Sequence, residues 1–290
     1  MRLLGVGDNV VDRYVNLGRE YPGGNAVNVA VFARRLGAES SYMGVLGDDL
    51  SGQYVLDSLR REGVGTEHCE VAQGPNAFAE VEIVDHDRVF VGAEPNVAKF
   101  TPEDSHFEQM SGFDVVHCGY AGTFGPSVAR IAARSRVSYD FGSEGKFVLQ
   151  SDELLSMLPH LYLASFSGSH LDAAGVESLA QYAIEKGAKY ALVTRGGEGA
   201  YLAQTTQGLW QDAELINVVD TLGAGDAFIA SVLVGLLSQR KLSDVLASAS
   251  AHAAHVCMRY GAFGDGRPFS SKDMRRAKKT DSLNTKAGIQ

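Results

Sequence analysis

Late in the sequence, Val219-Asp220-Thr221-Leu222-Gly223-Ala224-Gly225-Asp226-Ala227-Phe228 sets two glycines around an alanine, directly before an apolar, helix-length run. With so little side chain in the way, consecutive backbone N–H groups can converge on an anion at the helix N-terminus, where the helix dipole favours negative charge. Asp226 falls in the first turn of that helix, beside such an anion. A carboxylate there suits a base that takes the proton from a hydroxyl attacking a phosphoryl group. The same residues would also serve a plain glycine turn in which Asp226 supports the helix N-terminus. Early in the chain, Tyr21-Pro22-Gly23-Gly24-Asn25-Ala26-Val27-Asn28-Val29-Ala30 places a diglycine turn before a helix that is apolar except for Asn28. A buried amide needs hydrogen-bond partners. Hydroxyls of a ligand lying over the turn would supply them, as would a neighbouring loop backbone.

Regular elements must hold these turns in place. Apolar runs at Leu3 to Val6, Tyr42 to Leu46, Val115 to Cys118, Val137 to Phe141, Leu161 to Ala164 and Tyr190 to Thr194 read as strands. Most lack clean alternation, which suits parallel strands covered on both faces. Helix-length segments alternate with them: Ala26 to Leu36, ended by Gly37, then Gly52 to Arg61, Ser127 to Arg134, Val176 to Lys186, Ala224 to Leu237 and Leu242 to Arg259. Repetition of strand and helix predicts an α/β fold, a doubly wound and mostly parallel sheet flanked by helices. Phe78 to Asp85 departs from that rhythm: Glu80 and Glu82 alternate with Val81 and Ile83, the mark of a half-solvated antiparallel strand. Asp85-His86-Asp87-Arg88 reads as its turn and Val89-Phe90-Val91 as its return strand. With Val10 to Leu17, these form a small antiparallel β lid drawn from residues about 10–20 and 76–98. The polar, basic end (Lys272, Arg275, Arg276, Lys278, Lys279) reads as a solvated last helix and a partly disordered tail over 269–290.

Gly23-Gly24-Asn25-Ala26-Val27-Asn28 and Asp220-Thr221-Leu222-Gly223-Ala224-Gly225-Asp226 resemble the two signatures of the ribokinase-like (phosphofructokinase-B type) carbohydrate kinases. Gly7-Asp8-Asn9-Val10-Val11-Asp12 resembles that family's first-strand turn, ending in a sugar-binding aspartate. Val193-Thr194-Arg195-Gly196-Gly197-Glu198-Gly199-Ala200 resembles its nucleotide-side strand and loop. Four ordered motifs in strand, turn and helix contexts are far more specific than any one of them. The resemblance covers residues 1 to about 268, taken as one kinase domain. It extends furthest toward members acting on fructosyl-amino acids, through Gly7-Asp8-Asn9 with Asp12, the run from Gly23 to Val31, and Asp87-Arg88-Val89-Phe90.

The resemblance implies an ATP-dependent kinase that transfers the γ-phosphoryl group to a primary hydroxyl of a ketose-type sugar, best matched by O6 of a fructosyl-amino acid. Asp226 would take the hydroxyl proton. Amides from Leu222 through Gly223, Ala224 and Gly225 would stabilise the transferring phosphoryl group. Asp12, Gly24, Asn25 and Asn28 would bind sugar hydroxyls, which a carboxylate and amides can engage in pairs. Thr194, Gly196 and Gly199, with Gly223 and Gly225, would line the nucleotide site, and Ala253 to Gly261 its adenine side. Arg88 would face the phosphoryl group or a substrate carboxylate. On a fructosyl-amino acid, Arg88 with Glu80, Glu82 or Glu94 could read both charges of the amino-acid part. An arginine on the surface of the lid without a ligand is the plainer alternative.

Mg2+ is implied as the companion of ATP, but its usual residues are altered. Where the family carries Asn-x-x-Glu, the chain reads Ser165-Phe166-Ser167-Gly168-Ser169-His170, so His170 stands in the Glu position. Neutral imidazole is a poor ligand for this hard cation. Ser167, Asp172 or Glu144 would assist, or phosphates and water would hold the metal, and His170 reads as a loop residue without a metal role. Asp220 resembles the start of a monovalent-cation loop found in some members, but one carboxylate does not make a K+ site.

Composition narrows the remaining classes. The 290 residues carry 26 Lys and Arg against 35 Asp and Glu, a net charge of −9, which argues against a general nucleic-acid or anionic-membrane surface. Cys69, Cys118 and Cys257 are too few and too scattered for a disulfide framework. The longest apolar stretch, Ala227 to Leu237, is too short to span a bilayer. The opening strand does not read as a signal peptide, so a cytoplasmic location is expected. Gly5-Val6-Gly7 is not a dinucleotide fingerprint, since Val10 occupies the last glycine position. The alternatives left are a kinase of another free sugar or nucleoside, and a sugar- or nucleotide-binding relative without catalysis. A homodimer through the lid would fit its exposed strand.

Overall fold

The computed structural model describes residues 1–84, 87–120, 124–142, 151–205 and 207–269. Its larger sheet runs β13-β12-β11-β10-β9-β8-β1-β4-β5. The central strands are β1 (Arg2–Val6), β4 (Glu39–Gly47), β8 (Val115–Gly119), β9 (Arg136–Asp140), β10 (Leu163–Ser167) and β11 (Tyr190–Thr194), all parallel and close to the predicted runs. Strand β5 (Gly65–Ala72) adds a parallel edge, and β12 (Ala200–Gln204) and β13 (Gln207–Gln211) an antiparallel one. These edge strands escape the sequence patterns because they mix polar and half-exposed residues, as in Thr66-Glu67-His68 of β5. Successive residues of the central strands enter opposite cores. Leu3 and Leu192 pack on one side of the sheet, while Leu4 and Val193 pack on the other.

One face carries α1 (Asn25–Arg35), α2 (Leu50–Arg61), α7 (Ala224–Leu237) and α8 (Leu242–Val256). The other carries α3 (Asp104–Met110), α4 (Val128–Ala132), α5 (Asp152–Met157) and α6 (Ala173–Glu185). Helix α1 is buried without interruption from Ala26 to Ala33, between the sheet and α7. Helix α7 is apolar nearly all round, as a helix buried on every side must be. Helix α8 ends at Val256, short of the predicted Arg259.

The smaller sheet, of order β14-β3-β2-β6-β7, is separate. It comprises β2 (Val10–Tyr14), β3 (Arg19–Gly23), β6 (Phe78–Val84), β7 (Asp87–Glu94) and β14 (Arg267–Pro268). Three of its four pairings are antiparallel, and β2 with β6 is parallel. The strand expected over Val10 to Leu17 stops at Tyr14, where Leu17 N turns back to Tyr14 O. Strand β3 contains Pro22, which the sequence marks as a turn. The strand survives because β14 pairs only with Arg19 and Glu20, so no ladder bond is asked of the proline on that side. The turn at Asp85-His86, Glu144 and the basic tail from Lys272 to Lys279 lie outside the described residues. Among those described, no helix is long and apolar enough to cross a membrane.

Candidate active site

The strand order reverses its direction of growth at β1. The chain first adds β4 and β5 on one side, then returns to lay β8 on the other. Ligands of such sheets bind outside the carboxyl ends of the strands near that point. Asp8 follows β1 there, Asp140 ends β9, Ser167 ends β10 and Thr194 ends β11.

Helix α1 begins at the diglycine turn. Gly24 holds φ 107, and a Cβ there would stand 2.8 Å from Asn9 Cα, so no other residue fits without shifting the backbone. Gly24 offers no capping side chain; Asp8 accepts instead from Asn25 N at 2.8 Å and Ala26 N at 3.2 Å. Burial nonetheless pushes the Asp8 carboxyl above its usual range, against the pull of those two amides. Asn9 serves the fold: its amide nitrogen donates to Tyr42 Oη at 3.0 Å and Val45 O at 2.7 Å.

Helix α7 begins at Gly223, with φ 78 and no side-chain cap. Its first intrahelical bond runs from Ala227 N to Gly223 O at 2.8 Å, so the amides ahead of it have no acceptor within the helix. Open space surrounds the position a Gly225 Cβ would take. An uncapped helix start with an open approach fits the phosphates of a nucleotide. Of the amides proposed for that work, Leu222 N donates to Asp220 Oδ1 at 3.1 Å and Ala224 N to Thr221 O at 3.2 Å.

The two helix starts meet at Asp226. Asn28 Nδ2 donates to its Oδ2 at 2.6 Å, and Asn25 Nδ2 to its Oδ1 at 2.8 Å. Asn25 Nδ2 also donates to Asp140 Oδ2 at 2.9 Å. Asn28 Oδ1 is buried and has no donor among the described residues. Asp140 was missed from sequence, although its place at the end of a predicted strand is the signal that marks such crevices. Burial first, then the charge of Asp226, push its carboxyl up to about 7; the Gly142 amide at 3.0 Å and Asn25 pull the other way.

The other predicted site residues are more scattered. Asp12 is buried on β2, its carboxylate against Gly23. On the nucleotide side, Thr194 Oγ1 donates to Phe166 O at 3.4 Å, and Gly196 and Gly199 bound the turn between β11 and β12. Arg88 takes its place in β7, paired with Ile83 of β6; its side chain lies outside the described residues. Asp220 is fully engaged: Tyr14 Oη donates to Oδ2, as does Gly261 N at 2.9 Å. His170 is exposed, and Asp172 caps α6 by accepting from Gly175 N at 2.8 Å. Among the described residues, no three His, Cys, Asp or Glu side chains gather as a metal cage. A cation that arrives on the phosphates of ATP and keeps several waters needs no such cage.

Residues 6–265 match the model of the pfkB family of carbohydrate kinases. The chain belongs to this family. The fructosamine kinase of Bacillus subtilis (strain 168) is 36% identical over 288 residues, covering 98% of this chain and all of the relative. The fructoselysine 6-kinase of Escherichia coli (strain K12) is 31% identical over 263 residues, covering 90% of this chain and 99% of the relative. Among solved structures, ribokinase of Arabidopsis thaliana, complexed with ribose and ATP, superposes with a TM-score of 0.79 at 19% identity, covering 91% of this chain and 96% of that one. Fructokinase of Xylella fastidiosa with bound ATP gives 0.73 at 22%, covering 90% and 93%. At these identities the structural likeness speaks for the fold alone. The expected ribokinase-like architecture with a second, smaller sheet is what the chain adopts, and its chemistry is that of a carbohydrate kinase.

Proposed function

We propose that the protein transfers the γ-phosphoryl group of ATP to O6 of a fructosyl-amino acid such as fructoselysine. The observation that carries the reading is Asp226, a carboxylate gripped by two side-chain amides at an uncapped, approachable helix start. Its oxygens are fixed in direction, as a base needs when it must meet one hydroxyl. The N-terminus of α7 stabilises the charge that moves with the phosphoryl group. Asp12, Gly24, Asn25 and Asn28 border the sugar, Thr194, Gly196 and Gly199 border the nucleotide, and the smaller sheet is the lid. A Mg2+ bound with ATP would be held by phosphates and water and would supply neutralisation of the phosphate charge. Asp220 stays structural, with three protein donors on its carboxylate.

The choice of acceptor is supported by near full-length similarity to kinases named for fructosamines and fructoselysine. A fructosyl-amino acid carries an ammonium group at C1. Asp12, a buried carboxylate on β2 assigned to the sugar rather than to O6, would favour such a cation over a neutral sugar.

ADP release should be followed with Mg·ATP and fructoselysine, other fructosyl-amino acids, fructose, ribose and adenosine. Turnover is expected on a fructosyl-amino acid, with Asp226→Asn slower by about 10²–10⁴-fold. Turnover on a free sugar or nucleoside alone would discard the acceptor. ATP binding without turnover on any of them would identify a relative that has lost catalysis.

A further inference from the structure

His117 lies within β8, completely buried beneath the site, and the transfer proposed above gives it no part. Both of its ring nitrogens are engaged: Nδ1 lies 3.0 Å from Ser138 Oγ, and Nε2 lies 2.9 Å from Asn25 Oδ1. The tautomer follows from what Asn25 faces on its other side. There a single amide atom stands 2.9 Å from Asp140 Oδ2 and 2.8 Å from Asp226 Oδ1. Asp226, ionised as the proton acceptor, needs a hydrogen on that atom, and only the NH2 group carries one, so the atom is nitrogen and its second hydrogen serves Asp140. The remaining amide atom is the carbonyl oxygen, and it must accept. His117 Nε2 therefore carries a hydrogen. Burial holds the ring down to about 3, so it is neutral and has only that one N–H. Nδ1 is then bare and accepts from the Ser138 hydroxyl. Every donor from Ser138 through His117 and Asn25 to Asp226 points one way.

We propose that His117 is a positioning residue for Asp226: its Nε2–H fixes the Asn25 amide with both N–H bonds on the carboxylates, and Ser138 fixes the ring. The proposal rests on the reading of Asp226 as proton acceptor. An amide turned by half a revolution has nearly the same shape, so packing alone selects weakly between its two states. The turned state would set an oxygen against Asp140 and Asp226, disfavouring their ionised forms and misdirecting the base. A donor on the far side adds to that preference and holds the amide when Asp226 is protonated, and His117 is that donor.

Nitrogen-15 NMR of the native protein with labelled histidine tests the tautomer. The resonances lost in His117→Gln are expected to be those of a neutral, Nε2-protonated ring that does not titrate between pH 5 and 8 (roughly the range in which an ordinary histidine changes charge). An Nδ1-protonated or charged ring would overturn the proposal. Kinetics test the consequence. His117→Phe removes the donor, whereas His117→Gln keeps an N–H near Nε2. In His117→Phe, kcat is expected to fall about tenfold or more with KM for ATP little changed. The acid limb of kcat/KM should also move to higher pH, and His117→Gln should recover most of both changes. A native kcat and pH profile in His117→Phe, beside an inactive Asp226→Asn, would overturn the proposal and leave the base in place. Turnover retained in Asp226→Asn would instead remove the base itself. If His117→Phe does not fold, the native tautomer and the acid limb of Ser138→Ala decide, and an unmoved limb counts against the proposal.

Discussion

Asp140 and Asp226 share the amide of Asn25, yet Asp226 has a second side-chain amide of its own, from Asn28, while Asp140 has the Gly142 backbone amide. That difference has a consequence for stability. Asp140 is pushed up to about 7 in the fold, mainly by burial, from an ordinary value of 3.8. Between those values the folded chain binds more protons than the unfolded one, so stability falls as pH rises from about 4 to about 7. Asp140→Asn removes this dependence. The variant should gain stability over the native protein, more at pH 8 than at pH 5, by about 2 kcal/mol. Urea unfolding at the two pH values measures it, and an equal difference at both would show that Asp140 ionises as freely in the fold as in the unfolded chain.

At the scale of elements, Asp220 ties three segments together. It accepts from Tyr14 of β2, from Leu222 N in the turn before α7, and from Gly261 N after α8. The smaller sheet is thereby anchored to the turn before α7 by one buried carboxylate. Tyr14→Phe leaves that carboxylate short of a donor, at a cost of about 1–3 kcal/mol. A lower melting temperature is expected, together with a loss of activity at temperatures where the chain is still folded. Calorimetry and a turnover assay at about 25 °C separate the two effects. Full activity in a merely less stable variant would show that the turn does not need the sheet.

For the molecule as a whole, β7 is the outer strand of the smaller sheet, with Val89 45% and Val91 49% exposed on it. An exposed apolar edge strand is a template for pairing with another chain. We expect a homodimer through this sheet. Sedimentation should give twice the chain mass for the native protein and the single mass for Val89→Lys/Val91→Lys. A monomeric native protein would remove the pairing.

Much of this architecture is legible in the sequence because long-range physics leaves local marks. Buried parallel strands read as continuous apolar runs, and the two helix starts announce themselves by glycines that only a tight approach requires, as at Gly24 and Gly223. Asp226 is legible for the same reason, since its place in the first turn of α7 follows from spacing alone. The sequence does not encode, in any local pattern, which partners these residues find. Asn25 and Asn28 are separated from Asp226 by about two hundred positions, and only the packing of α1 against α7 brings their amides to its carboxylate. His117 and Asp140 look like ordinary members of strands until β8 and β9 lie side by side beneath α1. Periodicity marked the sheet, glycine placement marked the two helix starts, and the resemblance of the motifs implied the family. Tertiary structure decided the hydrogen-bond order around Asp226, because the direction of each donor depends on every neighbour it meets at once.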